Sequence, residues 1–359
     1  MGGPHDWLRS QIDRAPTVAP PSGINDTVMA DALRAVRRAG LGNERERREA
    51  RQRLVRLVAR EQQAALTQRV TSDAPFAERL VAFWSNHLCV SVAAKLTVGP
   101  FAGSYEREVI RRHLFGRFED MVLASARHPA MLFYLDNLQS VGPDARGLRA
   151  ARRRGQQRGL NENYARELLE LHTLGVDGGY TQNDVIELAR MLTGWTVTGY
   201  NGPAQRLMNR PASGPVKFVF AEMLHQPGAK TLLGVKYQEA GVQEGERAIR
   251  ALCRHRSTAR FIARKLVLHF VADDPPAPAI DKLAAVFHRS EGDLREVSRA
   301  LIDLPEAWTA DTRKFRTPQD WLVAIMRAFS APEANVALLP TLRQLRHPLW
   351  SPQAPSSSS

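Results

Sequence analysis

The chain has 359 residues, 43% of them hydrophobic and 24% charged, which is typical of a globular protein with a sizeable core. It has no apolar run of membrane-spanning length and no secretory h-region near its first residue. Its net charge of +13 comes mostly from arginine, since lysine occurs only seven times. The arginines are spread over many predicted helices without a zinc-finger, RNA-binding or basic-zipper pattern, so we do not expect nucleic-acid binding.

Turn-forming residues divide the chain into three parts. Glycine and proline are frequent in residues 1–26, which predicts mostly irregular structure with one or two turns near Trp7. Residues 27–346 show helical periodicity and predict one mainly α domain, a multi-helix globular bundle. Residues 347–359 end in four serines and predict a disordered tail.

The first half of the domain has long stretches of helical periodicity. In the helix predicted to begin at Pro75 and to continue to about Lys95, His87 lies at the centre of an apolar stripe. A neutral imidazole there needs one donor and one acceptor, so His87 is either a satisfied core residue or part of a site. Cys89 is expected to be a core thiol of the same helix. The predicted helices of this half cover residues 27–39, 43–70, 75–95, 104–118, 119–126 and 130–140.

Two polar features follow these helices. Asp136, near the end of the helix over 130–140, either caps a neighbouring element or lines a cleft. Residues 142–159 are rich in glycine and arginine and predict a loop. Within it, Arg152, Arg153 and Arg154 belong either to a solvated segment or to an anion-binding flap.

Two capped helices around a glycine turn are predicted between residues 160 and 195. Asn161 or Asn163 can cap the first helix, and Gly175 can close it in a left-handed conformation. Thr181 and Asp184 have the spacing of a capping box for the second helix, with Asp in place of the usual Glu or Gln.

The first of these two helices carries a carboxylate at the margin of its apolar face. Tyr164 clusters there with Leu168 and Leu171, and Glu167 projects between Leu171 and Leu174. An acid in this position must be paired, hydrogen-bonded or shifted toward its neutral form. Glu167 is therefore either the partner of a buried arginine or a general acid, a general base or a ligand-binding carboxylate.

Helical periodicity fails between residues 195 and 238, which predicts a small irregular or β-hairpin insertion. Residues 216–220 have β character, and residues 231–233 are expected to pair with them. His225 and Lys230 flank a Pro-Gly turn in this insertion and can present two donor groups from irregular backbone. Further helices are predicted over 243–254, 257–271, 280–288, 293–304 and 319–329.

Several of these motifs together resemble the bacterial domain-of-unknown-function family 1800. The resemblance implies a mainly helical fold and, in many relatives, an exported protein encoded beside a second exported protein. It implies no established reaction, cofactor or catalytic residue. The compartment stays open between cytoplasmic, from the chain as given, and periplasmic, if the N-terminus is incomplete. The match is carried by Trp84-Ser-Asn-His87, Tyr134-Leu-Asp-Asn137, Asn161-Glu-Asn-Tyr-Ala-Arg-Glu-Leu-Leu-Glu-Leu, Tyr180-Thr, Asp184-Val, Leu192-Thr-Gly-Trp195, Lys230-Thr-Leu-Leu-Gly234, Lys265-Leu and Phe315-Arg-Thr-Pro318.

The first functional hypothesis is a cleft for ligand binding or acid/base chemistry between the central helix pair and the insertion. His87 and Glu167 are its candidate catalytic residues, and we expect them to converge within hydrogen-bonding reach, directly or through a water. They could also help to hold a metal, but two ligands are too few for tight binding and no H-E-x-x-H motif is present, so no metal site is assigned. The candidate ligand-binding residues are Tyr164, Asp136, His225 and Lys230.

Two other hypotheses belong to different functional classes. The chain could be a non-enzymatic scaffold for the co-encoded exported partner, which predicts an exposed apolar patch. Alternatively, Arg152, Arg153 and Arg154 could bind an anionic polymer, which predicts affinity that weakens steeply with salt. The sequence identifies no cofactor.

Overall fold

The computed structural model describes residues 3–12, 14, 16–147, 159–202, 205, 212–309, 313–329 and 338–351. Within these ranges the protein is mainly α-helical with two small antiparallel sheets, which confirms the predicted fold class. The α-helices, in chain order, are α1 (Pro4–Ser10), α2 (Asp26–Ala39), α3 (Glu44–Thr71), α4 (Pro75–His87), α5 (Gly99–Tyr105), α6 (Phe118–Arg127), α7 (Pro129–Tyr134), α8 (Asn163–Glu167), α9 (Gln182–Met191), α10 (Val242–Arg254), α11 (Arg256–Phe270), α12 (Ala277–Arg289), α13 (Leu294–Ile302), α14 (Pro318–Ala328) and α15 (Leu338–Gln344).

One large hydrophobic core joins helices from α2 to α13. Its bulkiest side chains are aromatic, and Trp84, Phe118, Tyr164 and Trp195 are all buried in it. Each such ring removes about 150–250 Å² from water, so these residues dominate the packing energy. A smaller cluster forms where α14 and α15 pack against α3.

The insertion contains two separate antiparallel pairs instead of the single predicted one. Strand β1 (Trp195–Thr198) pairs with β2 (Lys217–Phe220), and β3 (Lys230–Leu232) pairs with β4 (Val235–Tyr237). The prediction was wrong because β2 finds its partner upstream, with Trp195 opposite Phe220, while β3 folds back on the residues that follow it. The Pro-Gly turn therefore connects two sheets and closes neither.

Helix α4 ends at His87 and does not continue to Lys95 as predicted. The cause lies at Leu88, whose φ of −100° and ψ of 52° leave the helical region. Its carbonyl oxygen accepts a hydrogen bond of 2.7 Å from the hydroxyl of Tyr105 instead of a helical amide. Cys89 therefore follows the helix in an irregular segment, and it is half-buried where a core thiol was expected.

A buried ionic network holds three of the helices together. Helix α5 continues as a π-helix over Glu106–Arg111, and Glu106 pairs with Arg69 at 2.9 Å and with Arg111 at 2.8 Å. Arg111 also pairs with Glu78 at 2.9 Å. Burial alone would raise the pKa of Glu106, but Arg111 and Arg69 hold it at about 2. Because breaking such a pair leaves an uncompensated charge, the network fixes α3, α4 and α5 against one another.

Residues 347–351 are packed against the body of the protein, although the sequence predicts a disordered tail from residue 347. The amide of Val92 donates to the carbonyl of Trp350 at 2.8 Å, and Nε1 of Trp350 donates to Glu106 at 2.9 Å. The structure differs from the prediction because Leu349 and Trp350 supply buried apolar surface. The rest of the predicted tail lies outside the described residues. Among the helices that the structure describes, none combines the length and the apolar character needed to cross a membrane.

Candidate functional site

The last turn of α4 directs the imidazole of His87 into the aromatic core. The ring is 3% exposed and stacks parallel to Phe83. Its Nε2 lies 3.1 Å from the carbonyl oxygen of His172, and its Nδ1 lies 2.9 Å from Nζ of Lys265. Because a carbonyl only accepts, Nε2 carries the hydrogen and Nδ1 accepts from the lysine. Burial and the neighbouring Lys265 keep the pKa of His87 well below its ordinary value, so the ring is neutral.

Lys265 lies in the middle of α11, one turn after Phe261. Its Nζ is 5.2 Å from the centroid of the Phe261 ring and donates to His87. Burial lowers the pKa of Lys265 to about 8, and the Cys89 thiol offsets part of that decrease. At pH 7 about one-tenth of this amine is therefore uncharged, whereas an ordinary lysine is almost fully protonated.

Lys265 differs from the other lysines in its partner. Lys95 lies 2.5 Å from Asp136, and Lys230 lies 2.6 Å from Glu244. Lys265 has no carboxylate at ion-pair distance within the ranges that the structure covers; its hydrogen-bond partner is a neutral ring. A cation without a counter-ion in a partly buried setting is characteristic of a reactive amine. The lysines paired with carboxylates are Lys95, Lys230, Lys282 and Lys314.

Three half-buried side chains from other elements complete the site. The hydroxyl of Tyr134 lies against the thiol of Cys89, and Cys89 interacts electrostatically with both Glu167 and Lys265. Burial and the like charge of Glu170 raise the pKa of Glu167. No hydrogen bond or ion pair to the Glu167 carboxylate is found in the described part of the chain. We call the following residues the Lys265 cluster: His87, Cys89, Tyr134, Glu167 and Lys265.

A π-helical turn positions the carboxylate and the carbonyl of this site. Helix α8 ends at Glu167 and continues as a π-helix over Leu168–His172. Thr173 supports the turn, since its hydroxyl donates to the carbonyl of Leu168 at 2.7 Å. Carbonyls at the end of a helix lack amide partners, and that of His172 accepts from His87 instead. Such π-helical turns are rare and are found frequently at functional sites.

The cluster combines groups suited to proton transfer. Lys265 can accept a proton near neutral pH, and a carboxyl group with a raised pKa, such as Glu167, can donate one. Burial raises the pKa of Cys89, so this residue is a neutral thiol and not a reactive thiolate. His87 has both ring nitrogens occupied, so it orients the amine.

His87 and Glu167 are not joined directly as the sequence suggests. Both nitrogens of His87 are taken by His172 and Lys265. Glu167 belongs to the same cluster through Cys89, which interacts with Glu167 on one side and with Lys265 on the other. The link between the two candidate catalytic residues therefore runs through the Lys265 amine and the Cys89 thiol.

His225 and Lys230 come together, but in a separate and closed network. Oε1 of Glu244 lies 2.8 Å from Nε2 of His225 and 2.6 Å from Nζ of Lys230. Nδ1 of His225 lies 2.9 Å from the carbonyl oxygen of Thr193. Burial would raise the pKa of Glu244, but hydrogen bonds from His225 and Lys230 lower it. All three side chains are at most 3% exposed, so this network ties β3 to α10 and leaves no surface for a ligand.

The remaining predicted residues have different surroundings. Asp136 pairs with Lys95, whose Nζ also donates to the carbonyl of Tyr134 at 2.7 Å, so it lies at the edge of the Lys265 cluster. Tyr164 is buried in the core near Tyr105, and burial raises its pKa well above the ordinary value. The anion-binding candidates Arg152, Arg153 and Arg154 lie outside the described residues. No group of three or more potential metal ligands occurs among the residues that were described.

Comparison with known proteins identifies the family. A family model for a protein of unknown function, DUF1800, matches residues 2–357. The chain belongs to this family. No curated protein and no solved structure matches it. The family match extends over essentially the whole chain, whereas the sequence motifs indicated it for only part of the chain. It assigns no reaction to the Lys265 cluster.

Three members of the cluster were missed by sequence reasoning. The sequence indicates Lys265 only as part of a family motif, on the helix predicted over 257–271. A charged residue on the apolar face of that helix was the same signal that singled out Glu167, and it would have found Lys265. Tyr134 and Cys89 carried no such signal, because their proximity depends on where α7 and α4 end.

Proposed function

We propose that this member of the DUF1800 family is an enzyme that performs general acid–base chemistry on a small polar substrate at the Lys265 cluster. The observation that carries the proposal is the environment of the Lys265 amine. It is bound by a neutral imidazole at 2.9 Å, has no carboxylate partner in the described ranges and has a pKa of about 8. A base with a pKa near the operating pH is the most effective one for proton transfer.

The other residues supply complementary roles in this proposal. Glu167 is the acid, because burial and the like charge of Glu170 raise its pKa and its carboxyl group has no competing partner among the described residues. His87 is a positioning residue that holds Lys265. Cys89 and Tyr134 are neutral groups of the same cluster, because burial raises the pKa of each. All four of the residues that would face a substrate are partly exposed, whereas His87 is buried behind them.

The proposal is tested by competitive acetylation of amines across a pH series, with the modified peptides quantified by mass spectrometry. Lys217 and Lys236 are exposed and serve as internal references. We expect the reactivity of Lys265 to rise with a midpoint near its pKa of about 8, about two pH units below the ordinary lysine value of about 10.4. A midpoint at the ordinary lysine value would remove the basis of the proposal.

Turnover provides the second part of this test. A panel of small esters, lactones and carbonyl compounds with acidic C–H bonds is screened against the purified chain. Any activity found should disappear in Lys265→Met and in Glu167→Gln, because each removes one partner of the proton transfer. The matched control Lys236→Met removes an exposed lysine and should retain the activity.

A second candidate function is the docking of the co-encoded exported partner implied by the family resemblance. The observation that favours it is a group of exposed aromatic side chains at α14: Phe315 is 71%, Trp321 51% and Phe329 78% exposed. Large exposed apolar side chains often mark protein interaction sites. Co-purification with the neighbouring gene product tests it. Binding should be lost in Trp321→Ser and kept in Lys265→Met; equal binding by both variants would exclude α14 as the docking element.

A further inference from the structure

A cavity of about 130 Å³ lies between α3, α4, α11, the start of α14 and the C-terminal segment. One water needs only about 10–15 Å³ of such space, so the cavity can hold several waters or a small ligand. None of the five residues of the Lys265 cluster lines it. The polar residues used in the following argument are Arg69, Ser85, His269, Asp320 and His347.

Unpaired polar atoms are concentrated around this cavity. Ten buried side-chain nitrogen and oxygen atoms of the described residues lack a hydrogen-bond partner. Four belong to residues of the lining: Nε of Arg69, Oγ of Ser85, Nε2 of His269 and Nδ1 of His347. A fifth, Nε of Arg79, belongs to an adjoining groove. Buried polar atoms in native proteins almost always have partners, so this concentration indicates an occupant that supplies them.

The unpaired atoms are mainly donors. The Nε–H groups of Arg69 and Arg79 can only donate, and the hydroxyl of Ser85 can donate or accept. Burial lowers the pKa of His269 to about 4, so its ring is neutral at physiological pH and can offer an N–H group. The set therefore complements a ligand with several acceptor atoms.

The charges around the cavity favour an anion. Across the cavity and the groove, more guanidinium groups than carboxylates are present, and Glu78 is already paired with Arg111 at 2.9 Å. Arg79 has no carboxylate at ion-pair distance in the part of the chain described; its guanidinium lies 4.8 Å from the centroid of the Phe270 ring. With Asp320 included, the guanidinium groups still outnumber the carboxylates. The charged groups are Arg69, Arg79, Arg327 and Arg346 against Glu78 and Asp320, and two of them are already paired outside the site, Arg69 with Glu106 at 2.9 Å and Glu78 with Arg111 at 2.9 Å.

We propose that this cavity and the groove that adjoins it form one binding site for a small oxyanion, a carboxylate or a phosphate, held by Arg79 from the groove and by Ser85 and His269 from the cavity. The site is distinct from the Lys265 cluster, because the ring of Phe83 packs against His87 on one side and His269 on the other. The inference therefore does not depend on the acid–base function proposed above.

The C-terminal segment forms one wall of this site. Residues 346–351 contribute to the lining, and three hydrogen bonds hold the segment in place. Val92 and Trp350 form the first at 2.8 Å, Gln62 donates to the carbonyl of Leu349 at 2.9 Å, and Trp350 donates to Glu106 at 2.9 Å. An anion bound against His347 would be enclosed by this segment, so binding is expected to stabilise the whole protein.

Isothermal titration calorimetry and thermal unfolding of the full chain test the inference. The probes are sodium acetate, sodium malonate and inorganic phosphate, with sodium chloride at matched ionic strength as the blank. We expect saturable binding of at least one probe, accompanied by a rise in the unfolding midpoint. Whether malonate or phosphate binds more tightly distinguishes a carboxylate site from a phosphate site.

Variants locate the binding. Arg79→Gln should weaken it at least tenfold, and the matched control Arg56→Gln, at an exposed position of α3, should not change it. If Arg79→Gln does not fold, Ser85→Ala replaces it, with an expected three- to tenfold loss. The inference is overturned if no probe binds saturably, which would mean a water-filled cavity, or if the cavity variant that folds binds as well as the control.

Discussion

Lys265 donates from Nζ to Nδ1 of His87 across 2.9 Å, so the only hydrogen-bonded partner of this amine in the described ranges is a neutral ring. The tautomer of that ring is set from its other side, where Nε2 donates to the carbonyl of His172. Because no negative charge compensates the ammonium form, protonation of Lys265 lowers the stability of the folded protein.

Replacement of Lys265 by Met should change how stability depends on pH. The folded pKa of about 8 lies below the ordinary value of about 10.4, so the unfolded chain binds more protons between these values. The wild type therefore carries a penalty of about 3 kcal/mol below pH 8 that disappears by about pH 10.5. The variant lacks this penalty. Its stability relative to the wild type should be constant below about pH 8 and should fall by about 3 kcal/mol above it.

Chemical denaturation at a series of pH values measures this difference. Lys236→Met is the control, because it makes the same substitution at an exposed lysine. A constant difference for Lys265→Met would contradict the lowered pKa. Lys265→Met also leaves Nδ1 of His87 without a donor. This loss lowers the stability of the variant by the same amount at every pH of the series, so it does not alter the pH dependence.

Replacement of Glu167 by Gln should leave the fold intact or stabilise it slightly. Its pKa is raised by burial and by Glu170, so the wild type loses stability as the pH rises through that pKa, whereas the amide does not titrate. We expect a change within about 0.5 kcal/mol, or a gain, near neutral pH. Glu119→Gln is the contrast, because Glu119 accepts hydrogen bonds from Arg250 and Arg254 and should lose about 1–3 kcal/mol. Equal losses in urea denaturation would show that Glu167 has a structural partner.

Replacement of Glu244 by Gln should be strongly destabilising. The carboxylate is fully buried between His225 and Lys230, and its loss leaves the lysine charge uncompensated, at a cost of about 3–5 kcal/mol. The exposed pair of Glu44 and Arg48 is the control, and Glu44→Gln should cost less than about 1 kcal/mol. The acetylation midpoint of Lys265 should be the same in both variants. A loss below about 1 kcal/mol for Glu244→Gln would argue that this network is a site and not a structural tie.

Replacement of His128 by Asn should reduce the loss of stability in acid. Burial, and next the charge of Arg107, lower the pKa of His128 to about 3, so the unfolded chain binds the extra proton between that value and about 6.5. The contribution of the neutral His128 ring to the free energy of unfolding is fully present above about pH 6.5 and is lost as the pH falls. Asn keeps the helix cap that Nδ1 of His128 provides to Ala130, at 3.1 Å, but cannot titrate. The slope of unfolding free energy between about pH 4 and 6 should therefore fall by about 1.4 kcal/mol per pH unit.

His255 offers a matched control for that experiment. It caps α11 in the same way, with Nδ1 accepting from the amide of Ser257 at 3.2 Å, but at an exposed position. His255→Asn replaces an exposed histidine cap, so it measures the effect of the cap substitution apart from burial. Equal effects of the two substitutions would contradict a neutral, buried His128.

Local features of the fold could be read from the sequence, because neighbouring residues decide them. The capping box of Thr181 and Asp184 is present with both of its hydrogen bonds, and Gly175 adopts the predicted left-handed conformation with a φ of 84°. Helical periodicity located α2, α3 and the five helices from α10 to α14 to within a few residues, whereas α15 was not predicted. These signals depend on side chains three or four positions apart, which no distant contact reverses here.

Features that depend on distant partners could not be read in this way. Leu88 ends α4 because Tyr105 binds its carbonyl, and Trp350 is ordered because it reaches Glu106. For the same reason His225 and Lys230 were recognised as a pair while their common partner, Glu244, was not. His87 and Glu167 were recognised from their own helices, but the amine that distinguishes the site comes from α11, a later part of the chain.

The π-helical turn at Leu168–His172 makes the site sensitive to chain length in a way that point substitutions would not reveal. A π-turn accommodates one more residue than an α-turn, and each residue of a helix rotates its successors by about 100°. Deleting a single residue from this turn would allow a regular helix, but it would swing either the Glu167 carboxyl group or the His172 carbonyl about a quarter-turn away from its partners. Members of the family that lack this extra residue would therefore keep the helices and lose the geometry of the Lys265 cluster.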